Sequence, residues 1–363
     1  MRHHTAPFRR HFAVALVLSA LLTAAANSQQ IREYIYLGNR IVATTSSPEV
    51  VSALIGTPSA NKLEYPITLN LNTVGLGSIS VINILVNTAL DGNAACYLAI
   101  TPNPAQLFLV KDDSEEGLHG PISFPSTGSL SNSQCIVPAA MISYSSSGST
   151  VTLQLRLNFQ PAFKGNKILY AAVQTTNGGN SGWQSAAALR VGSFGLDEPN
   201  SPIFDGRVTV SGERNYSLPP ETEHTATVEL WNPLNWTGSE PRIANLLINN
   251  VVDGRFACYM AVLVGSPSQL LLVEDGGAGG GPFAGQMDVT GQYAGIGNSQ
   301  CQINWATQTI DPGDKRLVLS LRMLYHAAFR GYRVFYPAIR IDKPAPQPSI
   351  TSGWLAGGTV HIL

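Results

Sequence analysis

Val151-Thr152-Leu153-Gln154-Leu155-Arg156-Leu157-Asn158-Phe159 alternates apolar and polar side chains without a break. A period of two belongs to a strand with one face in a core and the other in water. The pattern returns from Leu317 to Tyr325, with Leu317, Leu319, Leu321, Met323 and Tyr325 in the apolar places. Each copy then turns through an aromatic-basic-glycine corner, Phe163-Lys164-Gly165 and Phe329-Arg330-Gly331. Each runs on into a second strand, which puts Ile168, Tyr170 and Ala172 on one face, then Val334, Tyr336 and Ala338. Duplicated strands with short turns and no long helical pattern predict an all-β chain of two tandem antiparallel β-sandwich modules.

The cysteines are duplicated too. Cys96-Tyr97-Leu98-Ala99-Ile100 and Asn132-Ser133-Gln134-Cys135 recur as Cys258-Tyr259-Met260-Ala261-Val262 and Asn298-Ser299-Gln300-Cys301. Four cysteines allow three pairings. Only Cys96–Cys135 with Cys258–Cys301 gives each copy the same internal cross-link. The offset between copies is 162 residues at Cys96/Cys258, 166 at Cys135/Cys301 and 171 at Trp183/Trp354. All the insertions fall in Gly-, Pro- or Ser-rich connections, as loops on a shared core should allow.

The first 28 residues read as a signal peptide. Arg2, Arg9 and Arg10 precede the apolar run 12–24, and small residues from Ala24 to Ser28 suit cleavage. Residues 29–47 carry two β-prone runs around Gly38-Asn39, which predict a short β-hairpin. Module 1 then spans 48–196 and module 2 spans 197–363. Without its signal arginines the chain has 19 basic against 23 acidic residues, a net charge of −4. That charge gives no footprint for nucleic acid, and no later run is long enough to span a bilayer. A secreted, extracellular or periplasmic location is expected, where disulfides persist.

Two resemblances bear on this reading. Glu33 to Ala43 is similar to a single YD-type unit of bacterial RHS-repeat proteins, whose shell needs many units, so one copy implies only a hairpin. Asp91-Gly92, Cys96-Tyr97-Leu98-Ala99, Leu107-Phe108-Leu109-Val110, Asn132-Ser133-Gln134-Cys135, Phe163-Lys164-Gly165-Asn166-Lys167 and Asn180-Ser181-Gly182-Trp183 resemble an uncharacterised Ig-like extracellular repeat of secreted bacterial proteins. The second copy departs from it with Arg330-Gly331-Tyr332 in place of Lys-Gly-Asn. The resemblance implies two Ig-like sandwiches and carries no catalytic or binding residues with it.

Candidates for chemistry occur mostly in one copy. Gly179-Asn180-Ser181-Gly182 invites comparison with a serine-protease nucleophile loop, but the copies share only Ser-Gly-Trp. A triad also needs a positioned His and Asp, and His119, His224, His326 and His361 do not recur. Asp112, Asp113, Glu115 and Glu116 could hold Ca²⁺ or act as paired acids, whereas copy two keeps only Glu274-Asp275 there. A solvated loop tip is the simpler reading. The histidines and cysteines lack zinc spacing, so no metal, cofactor or catalytic residue is expected. Trp231, Trp236 and Trp305 belong to copy two alone and either stack on sugars or extend the core.

The pairs Phe159/Tyr325, Phe163/Phe329, Tyr170/Tyr336 and Trp183/Trp354 are expected in the core, since matched aromatics mark shared packing. Pro337 should place the strand from Arg333 to Arg340 at a sheet edge or bend it, because proline lacks an N–H for the ladder. The function expected is an exported, non-catalytic structural, adhesion or interaction protein, with a cell-surface protein or a polysaccharide as partner. Its alternative is a polysaccharide-binding module using the copy-two tryptophans. Neither composition nor motif identifies the ligand.

Overall fold

The alternation from Val151 to Phe159 becomes a ten-residue strand, Thr150–Phe159, with every second side chain buried. In this computed structural model residues 34–37, 40–44, 47–211, 217–265 and 267–363 are described. The signal peptide expected over 1–28 and the Gly38-Asn39 turn lie outside them. Strands β1 (Tyr34–Leu37) and β2 (Arg40–Thr44) form an antiparallel hairpin, with Leu37 opposite Arg40.

Module 1 is a sandwich of two sheets. One orders β3 (Glu49–Ile55), β4 (Glu64–Asn72), β12 (Thr150–Phe159), β10 (Cys135–Pro138) and β9 (Ser129–Ser131), with β11 (Ser143–Ser147) also on β12. The other orders β14 (Gln184–Val191), β13 (Gly165–Thr175), β5 (Ile79–Asn87), β6 (Cys96–Pro102), β7 (Ala105–Val110) and β8 (Leu118–Ser123). Module 2 repeats this plan. Its first sheet orders β15 (Asp205–Val210), β17 (His224–Trp231), β24 (Arg316–Tyr325), β23 (Cys301–Asp311) and β22 (Thr290–Gly297). Its second orders β16 (Ser217–Leu218), β27 (Gly358–Ile362), β25 (Gly331–Ile341), β18 (Arg242–Asn249), β19 (Cys258–Val264), β20 (Gln269–Val273) and β21 (Phe283–Asp288), with β26 (Ile350–Thr351) on β25. The order β3-β4-β12-β10 facing β14-β13-β5-β6-β7 matches A-B-E-D facing G-F-C-C′-C″ of a variable-type immunoglobulin sandwich.

Each module has its own core. Leu69, Leu153 and Leu157 from one sheet meet Ile84, Leu98 and Leu169 from the other, and module 2 repeats this with Leu230, Leu319, Ile248 and Met260. Each such side chain removed from water contributes about 1.5–3 kcal/mol. Cys96 is joined to Cys135 and Cys258 to Cys301, with Cα atoms 5.6 Å apart in both. Each bond ties the start of the C′ strand to the opposite sheet. At the corner that opens β13, Lys167 sits 4.1 Å above the Phe163 ring, and Arg333 takes the same place 4.4 Å above Phe329. Burial lowers the Lys167 pKa and lowers that of Arg333 to about 10, so a ring face stands in for part of their lost hydration.

The modules are not separate beads. One apolar cluster joins Leu85, Tyr97, Ile168 and Tyr170 to Leu247, Val334, Tyr336 and Ala356. These lie on the outer faces of the β13–β5 and β25–β18 sheets, so the two second sheets cover each other and make a four-layer body. Tyr170 and Tyr336 both lie within it, and burial raises both pKa values. Contacts are reciprocal. Asn166 donates to the Gly206 carbonyl at 3.0 Å, and Tyr332, which replaces Asn166 in copy two, donates to the Val50 carbonyl. Val50 and Gly206 occupy matching places on β3 and β15, opposite Leu71 and Leu230. Such exchange of equivalent contacts defines an approximately two-fold interface.

One expectation needs correction. The strand carrying Pro337 is not an edge strand, although at Pro337 itself it is paired on one side only. It lies inside the sheet with Pro337 opposite Leu246 on β18. Its nitrogen faces the gap between β26 and β27, where only the Pro337 carbonyl is used, by the Leu355 N–H at 2.8 Å. Trp183 and Trp354 are half-buried, at equivalent places against the apolar cluster between the modules. Each packs edge-on against Tyr97 or Tyr259, at 5.5 and 5.6 Å. The other three aromatic pairs are buried, at 0–4% exposure. At the junction Asp197 pairs with Lys62 at 2.6 Å and Arg190 at 3.1 Å. Beside it Gly195 has φ +52, and a Cβ there would fall 2.3 Å from that of Asp205.

Candidate functional site

The residues common to both copies hold backbone. Asn132 donates to the Ala95 and Val110 carbonyls and accepts from the Gln134 and Cys135 N–H groups. Asn298 repeats all four bonds, to Ala257, Val273, Gln300 and Cys301. The Asn-Ser-Gln-Cys motif is therefore a clamp between strand ends that meets buried backbone demand. Ser181 accepts the Val173 N–H at 2.9 Å and donates to the Gly182 carbonyl at 2.7 Å, and Ser352 does the same with Ile339 and Gly353. Its hydroxyl proton is committed to a turn. No imidazole is among its hydrogen-bond partners.

The acidic loop also has structural work. Asp112 accepts the Ser133 N–H at 3.1 Å, and Asp275 accepts that of Ser299 at 3.3 Å. One carboxylate of the loop thus belongs to the shared design, hidden in sequence by its acidic neighbours. Asp113 caps the Glu115 N–H, while Glu115 and Glu116 point into solvent. Among the described residues no three His, Cys, Asp or Glu side chains gather as a metal site. The histidines are dispersed: His224 is buried against the Pro219 carbonyl and His326 meets Glu221.

His361 stacks on Tyr332 at 4.1 Å, with Ser217 3.5 Å from its Nδ1. Burial, and then the Arg333 charge, hold its pKa below 6.5. The unfolded chain therefore takes up this proton more readily than the folded one. The contribution is complete above about pH 6.5 and is lost as pH falls below it. Wild-type protein is expected to melt at lower temperature at pH 5.5 than at pH 7.5, and His361→Gln to flatten that difference. An equal difference in both proteins would remove His361 from the account.

A cleft of about 410 Å³ lies beside the junction, between β14 and β15. Lys62, Arg190 and Asp197 line it, with Arg207 on the far wall. Lys62 and Arg190 share Asp197, Arg190 also holds Asp205, and Arg207 pairs with Glu229. Burial pushes the Tyr65 phenol up to about 12, with Arg190 opposing, and its hydroxyl donates to the Arg190 carbonyl at 2.5 Å. Its volume suits a small ligand, but its charges neutralise one another.

The copy-two tryptophans divide. Trp231 and Trp236 are 1% and 3% exposed, so they pack into module 2 and cannot stack on a sugar. Trp236 donates its indole N–H to the Leu230 carbonyl at 3.2 Å. Trp305 instead lies on the outer face of its sheet, half-buried, between Tyr293 on β22 and Arg322 on β24. The Arg322 guanidinium lies 5.1 Å from the Trp305 ring and 5.5 Å from that of Tyr293, whose hydroxyl it meets. Tyr293 is 63% exposed. Sequence reading noticed Trp305 but not its neighbours, because 29 residues separate Tyr293 from Arg322.

No family profile and no curated protein sequence matches the chain. Solved structures similar to it include dimeric latent PorU from Porphyromonas gingivalis, at 9% identity and TM-score 0.23. That match covers 88% of this chain and 20% of PorU. So distant a likeness carries no argument about activity. Among the described residues no helix is long and apolar enough to cross a membrane, which says nothing of membrane β-barrels.

Proposed function

We propose that this is an exported, non-catalytic protein in which two Ig-like modules act as one rigid body for adhesion or interaction at a cell surface. The observation that carries the reading is the use made of the duplicated polar side chains. Asn132/Asn298, Ser181/Ser352 and Asp112/Asp275 all spend their hydrogen bonds on backbone. Selection that preserves such residues in both copies preserves shape. The two disulfides agree with an oxidising compartment, and the resemblance to secreted Ig-like repeats favours the same location.

Purified protein lacking residues 1–28 is expected to show no hydrolysis across ester, peptide and glycoside substrates. Turnover abolished by changing one of Asp112, Asp113, Glu115 or Ser181 would overturn the proposal and make this an enzyme.

A further inference from the structure

We propose that Trp305, Arg322 and Tyr293 form a binding platform for a carboxylate-bearing polysaccharide, on the outer face of the first sheet of module 2. The inference rests on the non-catalytic reading above and supplies its ligand class. Comparison of the two copies carries it. In module 1 the matching arginine, Arg156, is paired with Glu64 across the β4–β12 ladder. In module 2 the residue matching Glu64 is Glu223, which accepts instead from Asn304 at 2.9 Å. Arg322 is thereby released. Among the described residues no carboxylate pairs with it, and its hydrogen bond goes to the Tyr293 hydroxyl.

What replaces the carboxylate is an aromatic floor. The guanidinium lies over both rings, and the Trp305 N–H is fixed by the Gly291 carbonyl at 2.5 Å. Aromatic contact holds a guanidinium while leaving donors free on its outer edge, and that planar fork suits a carboxylate. Beside this row runs a second one of hydroxyls, with Thr227, Ser320, Thr307 and Thr290 opposite one another across four strands. A flat strip with one unpaired cation, an exposed ring and a row of hydroxyls complements a uronate chain, which offers carboxylates, hydroxyls and apolar sugar faces. Module 1 cannot build it. There β10 stops at Pro138 and β9 spans only Ser129–Ser131, whereas β23 runs eleven residues and β22 eight.

The test is affinity electrophoresis through gels containing polygalacturonate or, in parallel, a neutral β-glucan. Wild-type protein is expected to be retarded by polygalacturonate alone. Arg322→Gln and Tyr293→Ala should each weaken retention roughly tenfold, and added salt should weaken wild-type retention. Arg156→Gln, the matching change in module 1, should leave it unchanged. Thermal melting of each variant checks that it is folded. Absence of retardation, equal retention by the neutral glucan, or equal retention of the folded Arg322→Gln protein would overturn the platform and leave the non-catalytic reading standing. Cleavage of polygalacturonate by wild-type protein would overturn that reading itself.

Discussion

Replacing both disulfides, as Cys96→Ala/Cys135→Ala with Cys258→Ala/Cys301→Ala, is expected to leave the protein largely unfolded at 37 °C. The bonds close loops of 39 and 43 residues. Chain entropy gives roughly 4 kcal/mol for each, since an unfolded chain held at two points has fewer conformations to lose. They lie in different modules and share no partner, so their losses should add to about 8 kcal/mol. That rivals the whole stability of an ordinary domain, about 5–15 kcal/mol. Denaturant unfolding of the two double variants and of the quadruple variant measures it. A combined loss below about 2 kcal/mol would mean that the sheets hold each other without their staples.

The second large effect is expected at Asp205. Its side chain is completely buried, and it accepts from Arg190, Asn166 and the Leu196 and Gly206 N–H groups. It lies at the first strand of module 2, while Arg190 and Asn166 belong to module 1. Asp205→Ala strands the Leu196 and Gly206 N–H groups and leaves Arg190 only Asp197 and the Phe194 carbonyl, which should cost about 3–5 kcal/mol. The matching end of the interface uses Tyr332 and His361 instead, with Glu49 in the place of Asp205. Thermal unfolding checks the loss. If Asp205→Ala cost less than about 1 kcal/mol, water would be reaching Arg190 and the interface would be looser than its burial implies.

The one-sided strands were legible because their alternation is unambiguous: Val151 to Phe159 and Leu317 to Tyr325 are buried at every second residue. Packing of module on module was also present, in Ile168 to Val173 and Val334 to Ile339, which are apolar on both faces. Such runs mark strands covered on two sides, yet attention to the face of Ile168, Tyr170 and Ala172 hid the other one. Pro337 misled because a missing N–H matters only on the side where a partner stands. Trp231 and Trp236 extend the core, one of the two roles their sequence offered. The platform was beyond reach, since the change of partner between Arg156 and Arg322 is a fact of three dimensions.

A face that two sister modules press against each other is one that a lone module would press against its twin. The exchange of Asn166 on Gly206 for Tyr332 on Val50 is the reciprocity that a homodimer of single modules would show. In a single chain the thirteen residues between Val191 and Asp205 then act as a tether. A tether that short keeps the partner at millimolar effective concentration. Pairing that separate modules would owe to their concentration is thereby made permanent, and each half is free to diverge on its outward side without losing its mate.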